Sequence, residues 1–306
     1  MLDLKRLEIL QRFASCGSIA ATAAYMGYSS SAVSQQLATL EREAGVALIE
    51  RTAHSANLTD AGRELVEHAT AVLAAAELAQ SRMRARAGTI SGRVTVSCIP
   101  GLAVGLAPHL AELQRRHPGL TIVAHQTEPS VAAAAVLDRT ADLAVIDDWT
   151  QEPIQELAGL TVHRLHREPI VLALKTGHPA ASDTGSISVA TLRDVVASET
   201  WLTAPLGHIS RTASDVGLAE VGVQPARRWE FDGLHVRARL VSTGAGIALL
   251  PVSVVDEQPG IVGLLLRPRM YRYVHILTRS TTREDPAIAT CVDTARRALK
   301  PPTRRR

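Results

Sequence analysis

The sequence predicts an α/β fold in two parts: a small helical N-terminal unit with a long helix behind it, then a larger domain of alternating strands and helices. Three observations predict this. Helical apolar spacing broken by Gly-Ser steps fills the first 60 residues. Small apolar residues then recur at heptad spacing from Leu65 to Met83. Beyond that, short strand-like apolar runs alternate with helical stretches to the C-terminus, the pattern of parallel sheets covered by helices. At 306 residues, 46% hydrophobic and only 3% aromatic, the chain is long enough for two separate cores.

Leu4, Leu7, Leu10 and Phe13 form one apolar stripe, and Gly17 ends that helix with Ser18 placed to cap the next. The second helix, about 18–26, is rich in alanine, so a neighbour can pack closely. Gly27-Tyr28 turns the chain, and Ser29 or Ser30 caps a third helix running to about Ala44. Val33, Leu37 and Leu40 are its buried face, which leaves Ser31, Ser34, Gln35, Thr39 and Arg42 outward. Short polar side chains near a helix N-terminus suit the DNA major groove: Gln pairs bidentately with adenine, and Ser or Thr bonds base edges or phosphates. An ordinary three-helix unit with a polar solvent face would show the same pattern.

Charge does not separate these readings. Over residues 1–59, Lys5, Arg6, Arg12, Arg42 and Arg51 are matched by Asp3, Glu8, Glu41, Glu43 and Glu50, five against five. The net +3 reflects a basic C-terminal stretch (Arg296, Arg297, Lys300, Arg304, Arg305, Arg306), which reads as a solvated tail. Any case for nucleic acid rests on geometry.

The wider stretch 13–62 resembles the DNA-binding signature of the LysR-type transcriptional regulator family. It carries Phe13, Gly17-Ser18-Ile19, Ala23, Ser29, Ala32-Val33-Ser34-Gln35-Gln36-Leu37, Leu40-Glu41, Gly45-Val46, Leu48, Arg51 and Leu58-Thr59-Asp60-Ala61-Gly62, in order and at matching spacing. The resemblance implies a winged helix-turn-helix over 1–59, with Ser34, Gln35 and Gln36 on the recognition helix and a two-stranded wing from Leu48 to Thr59. The candidate DNA contacts are Ser29, Ser30, Ser31, Ser34, Gln35, Gln36, Thr39, Arg42, Arg51, His54 and Asn57. Two positions depart from the family: Ile49 stands where Phe is usual, and the wing tip lacks its usual Arg or Lys, leaving His54 and Asn57.

A linker helix is expected over 60–88. Leu65, Ala69, Val72, Ala76, Ala79 and Met83 make a seam on a helix with little else to pack on, so dimerisation through it is expected. A dimer would set two recognition helices on successive major-groove faces. The resemblance adds a tetramer built as a dimer of dimers, with double-stranded DNA, a small molecule and RNA polymerase as further partners.

After a hinge at 89–92, strands are expected at 93–98, 120–124, 143–146, 161–165, 170–174, near Trp201, and at 247–250, 264–266 and 273–278. Helices are expected at about 102–116, 131–139, 189–196, 236–242 and 286–299. Asp142-Leu143-Ala144 and the run Leu240 to Pro251 extend the family resemblance, which implies an effector domain over 89–306 like the periplasmic binding proteins. Its two subdomains would be 93–165 with 268–300, and 166–267, crossing near Leu165–Pro169 and Leu266–Pro268.

Ligands of such sheets bind beyond the C-terminal strand ends, at helix N-termini. That rule selects Pro100, Gly101, Leu102, Ala103, Thr127, Glu128, Asp147, Trp149, Thr203, Ala204, Gly207 and His208, with Trp201 and Phe231 as further walls. Many relatives place a Ser or Thr after the first strand to grip a carboxylate. Here Pro100-Gly101-Leu102-Ala103 has no hydroxyl, and Glu128, Asp147 and Asp148 lie on the same rim, which disfavours a simple anion.

Other chemistries find little footing. Gly244-Ala245-Gly246 has Leu249 where a dinucleotide loop needs its third glycine, and it precedes a strand rather than a helix. The eleven histidines form no HxxxH or HExxH, and His163 and His166 fall on opposite faces of a strand, so no metal or other cofactor is expected. No nucleophile elbow, phosphate loop or triad supports an enzyme. Cys16, Cys98 and Cys291 are too few and too scattered for a disulfide framework and fit a reducing cytoplasm. The N-terminus lacks a secretory signal, and no run of about 18 apolar residues suggests a membrane span. Two alternatives stay open: the same fold acting constitutively without a ligand, and a redox sensor using Cys98 beside the cleft.

Overall fold

The computed structural model describes residues 1–52, 56–150, 157–181 and 185–300. The N-terminal unit is α1 (Leu4–Cys16), α2 (Ile19–Met26), α3 (Ser30–Ala44), β1 (Ile49–Arg51) and β2 (Ala56–Leu58), followed by α4 (Asp60–Ala87). Its helices are cut by local chemistry. Asp3, Ser18, Ser29 and Thr59 each accept a backbone N–H of the first turn they cap, and Gly17, Gly27, Gly45 and Gly88 end helices in the left-handed conformation that favours glycine. Leu7, Leu10, Phe13, Val33, Leu37, Leu40, Leu48 and Ile49 fill the core. Leu4, read as the first member of the α1 stripe, is exposed instead.

The linker helix departs from its reading as a uniform seam. Leu65 and Ala69 belong to the core of their own DNA-binding unit, with Val66 and Leu73, because α1 lies against α4 and provides the partner. Val72, Ala79 and Met83 are exposed and Ala76 is half-buried. Another face of α4 docks on the C-terminal domain. Glu77 accepts from Arg279 Nε at 2.9 Å and from Thr281, and Arg84 pairs with the buried Asp285 at 2.9 Å.

The C-terminal domain holds β3 (Gly92–Cys98), α5 (Pro100–Arg116), β4 (Leu120–Gln126), α6 (Pro129–Leu137), β5 (Leu143–Asp148), β6 (Leu160–Lys175), α7 (Val189–Ser198), β7 (Thr200–Thr203), α8 (Ile209–Glu220), β8 (Arg227–Glu230), α9 (Leu234–Thr243), β9 (Ala248–Pro251), α10 (Val252–Glu257), β10 (Ile261–Arg279) and α11 (Pro286–Ala298). One six-stranded sheet runs β4-β3-β5-β10-β6-β9, and β7 pairs with β8 apart from it.

Parallel sheets were expected, and this one is mixed. β3 is parallel to β4 and β5, whereas β10 is antiparallel to β5 and β6, and β9 is antiparallel to β6. The reason is that four of the expected strands are halves of two. The runs 161–165 and 170–174 are both β6, and 264–266 and 273–278 are both β10. These long strands pair antiparallel along their length, with a register shift between Leu265 and Met270. Each serves two cores. Leu160, Val274, Ile276 and Leu277 pack with β3, α5, α6 and α11, while Ile170–Leu174 and Leu264–Leu266 pack with α7, α9 and β9. The two lobes thus share two strands and leave a cleft between them.

Candidate functional site

Two surfaces carry the chemistry. The first is the exposed edge of α3. Ser30, Ser31, Gln35 and Arg42 are exposed there, and the Gln35 side chain has no hydrogen bond among the described residues, so its amide is available to a base edge. Other predicted contacts are partly committed. Ser29 caps the helix and bonds Ser31 Oγ at 2.9 Å, and Arg42 donates to Thr39 Oγ1 at 2.7 Å. Ser34 accepts from Arg51 Nη1 at 3.2 Å, which ties the recognition helix to the wing. Gln36 is turned away from the outer edge, its Oε1 accepting from Arg6 Nε at 3.1 Å. A residue adjacent in sequence points about 100° away on a helix, so Gln35 and Gln36 cannot share one groove-facing role. Asn57 is exposed on β2, paired with Glu50 in the ladder, and His54 lies outside the described residues.

The bulk neutrality has a structural account. Lys5 pairs with Glu8, Arg6 with Glu43, and Arg51 lies 3.9 Å from Glu41. Glu41 Oε1 also accepts the N–H groups of Leu48 and Ile49, each at 3.0 Å, fixing the turn into the wing. Several of the acidic residues are therefore scaffolding.

The second surface is the cleft between the lobes, a cavity of about 620 Å³ at the C-terminal end of β5. Glu128, Asp147, Asp148, Gly207 and His208 line it, with Ser130 and Asp232. A narrower recess of about 30 Å³ shares Glu128, Asp147 and His208 and is closed by Pro100, Gly101, Trp149, Ser210, Leu234 and Arg237. The helices α5, α6, α8 and α9 all begin here, and the caps of α5, α6 and α9 make no side-chain hydrogen bond to the helix. His208 caps α8, its Nδ1 accepting from Ser210 N at 3.2 Å.

Buried ion pairs hold one wall. Asp147 Oδ2 accepts from Trp149 Nε1 at 2.9 Å and from Arg272 Nη1 at 3.1 Å, and Arg272 also pairs with Glu168. Burial alone would raise the Glu168 carboxyl, but the His166 imidazole 4.0 Å away, the Arg272 charge and Ser253 bring it down to about 2.

Several predicted effector residues fall elsewhere. Trp201 is 1% exposed in the core of the second lobe, because β7 lies beneath α9 and β9 rather than on the cleft. Leu102 is in the first-lobe core, with Ala103 packed against that core. Thr203 and Ala204 are buried and lend their carbonyls, Thr203 to Phe231 N–H and Ala204 to Arg211. Thr127 is buried, its N–H bonded to the Cys98 carbonyl at 3.1 Å, and neither it nor the half-open Phe231 lines the cavity. Conversely, Asp232 and Arg237 escaped the sequence reading. Arg237 sits inside a correctly placed helix, where an arginine reads as a solvent-facing residue.

Two of the three cysteines are buried. Cys98 and Cys291 are 5% and 0% exposed in the first-lobe core, and burial pushes both thiols up to about 12. A thiol held that far above neutrality is not the thiolate that peroxide attack requires.

Among the described residues no helix is long and apolar enough to cross a membrane, and no group of three metal-ligating side chains occurs. Residues 87–300 match the LysR substrate binding domain, and residues 4–63 match the bacterial regulatory helix-turn-helix protein, lysR family. The chain is 29% identical to a probable hydrogen peroxide-inducible genes activator of Mycobacterium avium, covering 87% of this chain and 84% of the relative. It is 26% identical to the nitrogen assimilation regulatory protein nac of Escherichia coli, covering 85% and 82%. Among solved structures, a cysteine-to-aspartate variant of full-length OxyR from Pseudomonas aeruginosa superimposes with a TM-score of 0.70 at 25% identity, covering 99% of this chain and all of that one.

Proposed function

The chain belongs to the LysR family of transcription regulators, and on that premise we propose that it reads an operator through α3 while a small molecule in the inter-lobe cleft sets its DNA-bound form. The observation that carries this reading is the cleft: about 620 Å³, at the strand ends, with four helix N-termini around it and a narrow inner recess. The protein acts as a regulator rather than a catalyst. Its subunits associate through the exposed Val72, Ala79 and Met83 of α4, first as a dimer and then as a dimer of dimers. RNA polymerase is the partner on which a bound regulator acts.

The hydrogen peroxide named for the Mycobacterium avium relative is not the signal proposed here. Neither buried thiol of this chain is set up to react, and Cys16 lies in the DNA-binding unit, far in sequence from the cleft.

A mobility-shift titration on the intergenic DNA beside the chain's own coding region tests the first half. Wild-type protein is expected to give a discrete complex that weakens steeply with salt, as phosphate contacts release counterions. Gln35→Ala should lose about 1–3 kcal/mol of discrimination, weakening the specific complex while leaving the nonspecific smear. An undiminished complex with that variant would remove α3 as the reading element.

The second half is tested by filling the cleft. Ser130 is exposed at the start of α6 and lines the cavity, so Ser130→Trp adds bulk without disturbing a core. A reporter fused to the target promoter should lose its dependence on growth medium in this variant. A response like that of wild type would show that the cleft does not hold the signal.

A further inference from the structure

The inner recess of the cleft ends on a cation with no salt bridge among the described residues. Arg237, on α9, is 3% exposed, and its Nε has no hydrogen-bond partner. No ion pair reaches it among the described residues. Burial pulls the guanidinium down to about 10, only partly offset by the charges of Asp232 and Asp147. Asp147 is already taken by Arg272 and Trp149, and Asp232 Oδ1 accepts from Gly233 N. A buried guanidinium N–H without an acceptor is costly, and structures keep such groups where something else supplies the acceptor. The uncapped N-termini of α5 and α9 face the same recess and add partial positive charge.

The rest of the cavity has the opposite sign. Among the described residues its lining holds four carboxylates, Glu128, Asp147, Asp148 and Asp232, and Arg237 is its one Lys or Arg. Asp147 is engaged by Arg272, which leaves Glu128 and Asp232 exposed at the mouth and Asp148 buried behind them. A dicarboxylate would meet repulsion there. A simple amine would leave Arg237 unanswered and set one cation facing another. A monocarboxylate would use the recess and waste the rim.

Resting on the reading of the cleft as the effector site, we propose that it takes a small zwitterion, an amino acid or a close analogue. Its carboxylate sits against Arg237 and the N-termini of α5 and α9, and its ammonium sits among Glu128, Asp148 and Asp232. Arg237 is thus the anchor, and the acidic rim is the filter that rejects plain acids.

The test uses the full-length protein, thermal melts and titration calorimetry, with the proteinogenic L-amino acids as probes at millimolar concentration. For each amino acid that raises the melting temperature, its decarboxylated amine and its deaminated acid are titrated alongside. At least one amino acid should bind, with both truncated analogues weaker by about tenfold or more. Arg237→Met should weaken that amino acid by about a hundredfold and at the same time raise the melting temperature of the ligand-free protein, since a buried unpaired charge is replaced by an apolar chain. A structural arginine would do the reverse, lowering the melting temperature and sparing the affinity. Asp232→Asn, at an exposed position, should weaken the amino acid and leave its deaminated analogue unaffected.

The proposal falls if no amino acid binds, if the deaminated acid binds as tightly as its parent, or if Arg237→Met keeps full affinity. If it falls while Ser130→Trp still removes the reporter's dependence on growth medium, the effector cleft survives and only the ligand class is wrong. If Ser130→Trp changes nothing, the parent reading fails with it.

Discussion

Arg272→Met is expected to destabilise the protein by about 3–5 kcal/mol near neutral pH, the cost of leaving buried charge without its partner. Arg272 is almost fully buried at the junction of the lobes and is bonded on three sides. Its Nε donates to Glu168 Oε1 at 2.7 Å, its Nη1 to Asp147 Oδ2 at 3.1 Å, and its Nη2 reaches Ser253 Oγ at 3.4 Å. These partners belong to β6, β5 and α10, so one guanidinium joins both lobes at the crossover and also steadies a wall of the cleft. The effect should carry a pH signature. In the wild type the Glu168 carboxyl lies depressed at about 2, below its unfolded value of 4.5. Its contribution is therefore fully present above 4.5 and is lost as the pH falls through the folded value near 2. Without Arg272 one of the influences that lower that carboxyl is lost, and it moves back up from about 2. The deficit of the variant should then be largest near neutrality and shrink toward about pH 4, because protonation removes the unpaired charge. Urea midpoints at the two pH values measure this. Equal deficits at both would mean that the triad contributes packing rather than charge, and Glu168→Gln in the same background should restore part of the loss.

The parts of this molecule that were legible in its sequence are those set by neighbours in the chain. Ser18, and Ser29 of the two serines offered for the third helix, cap because a hydroxyl can reach an N–H three residues on, whatever the fold does later. The strand-end rule found Gly101, Glu128, Asp147 and His208, since it depends only on where strands stop and helices start. What escaped depends on contacts far apart in sequence. Pro169 and Pro268 made two long strands read as four, because proline interrupts the pattern while the ladder continues around it. Leu65 and Ala69 looked unpartnered until α1 lay across them. Trp201, an aromatic at a strand end, suggested a ligand wall and proved to be core, while Arg237, which no sequence pattern singled out, is buried in the cleft. In each case residue type gave the general expectation, and only the packing of distant elements could reverse it.

Gly62→Ala is expected to destabilise the DNA-binding unit and to lower operator affinity about tenfold or more, against the usual direction of such a change. Replacing a glycine within a helix by alanine ordinarily stabilises by about 0.8–1 kcal/mol. Gly62 lies in the first turn of α4, where its N–H bonds the Thr59 hydroxyl at 2.9 Å, and its own conformation would tolerate alanine. Space would not. A Cβ there would lie 2.2 Å from the Leu48 carbonyl oxygen and 3.1 Å from the Leu48 carbonyl carbon. Neither atom can move cheaply. The Leu48 carbonyl accepts from Thr59 N at 3.0 Å, and the Leu48 N–H is held by Glu41. The methyl must therefore push the start of α4 off the wing. Overpacking of this kind costs about 1–3 kcal/mol and sometimes more, which exceeds the helical gain. The displacement would reach DNA because Arg51, at the end of β1, donates to Ser34 on the recognition helix. A shift of the wing thus loosens the element that carries Gln35. Melting and mobility-shift titrations of the full-length variant give the answer together. A melting temperature at or above that of wild type would show that the contact between α4 and Leu48 opens freely, and that glycine is not needed there for close approach.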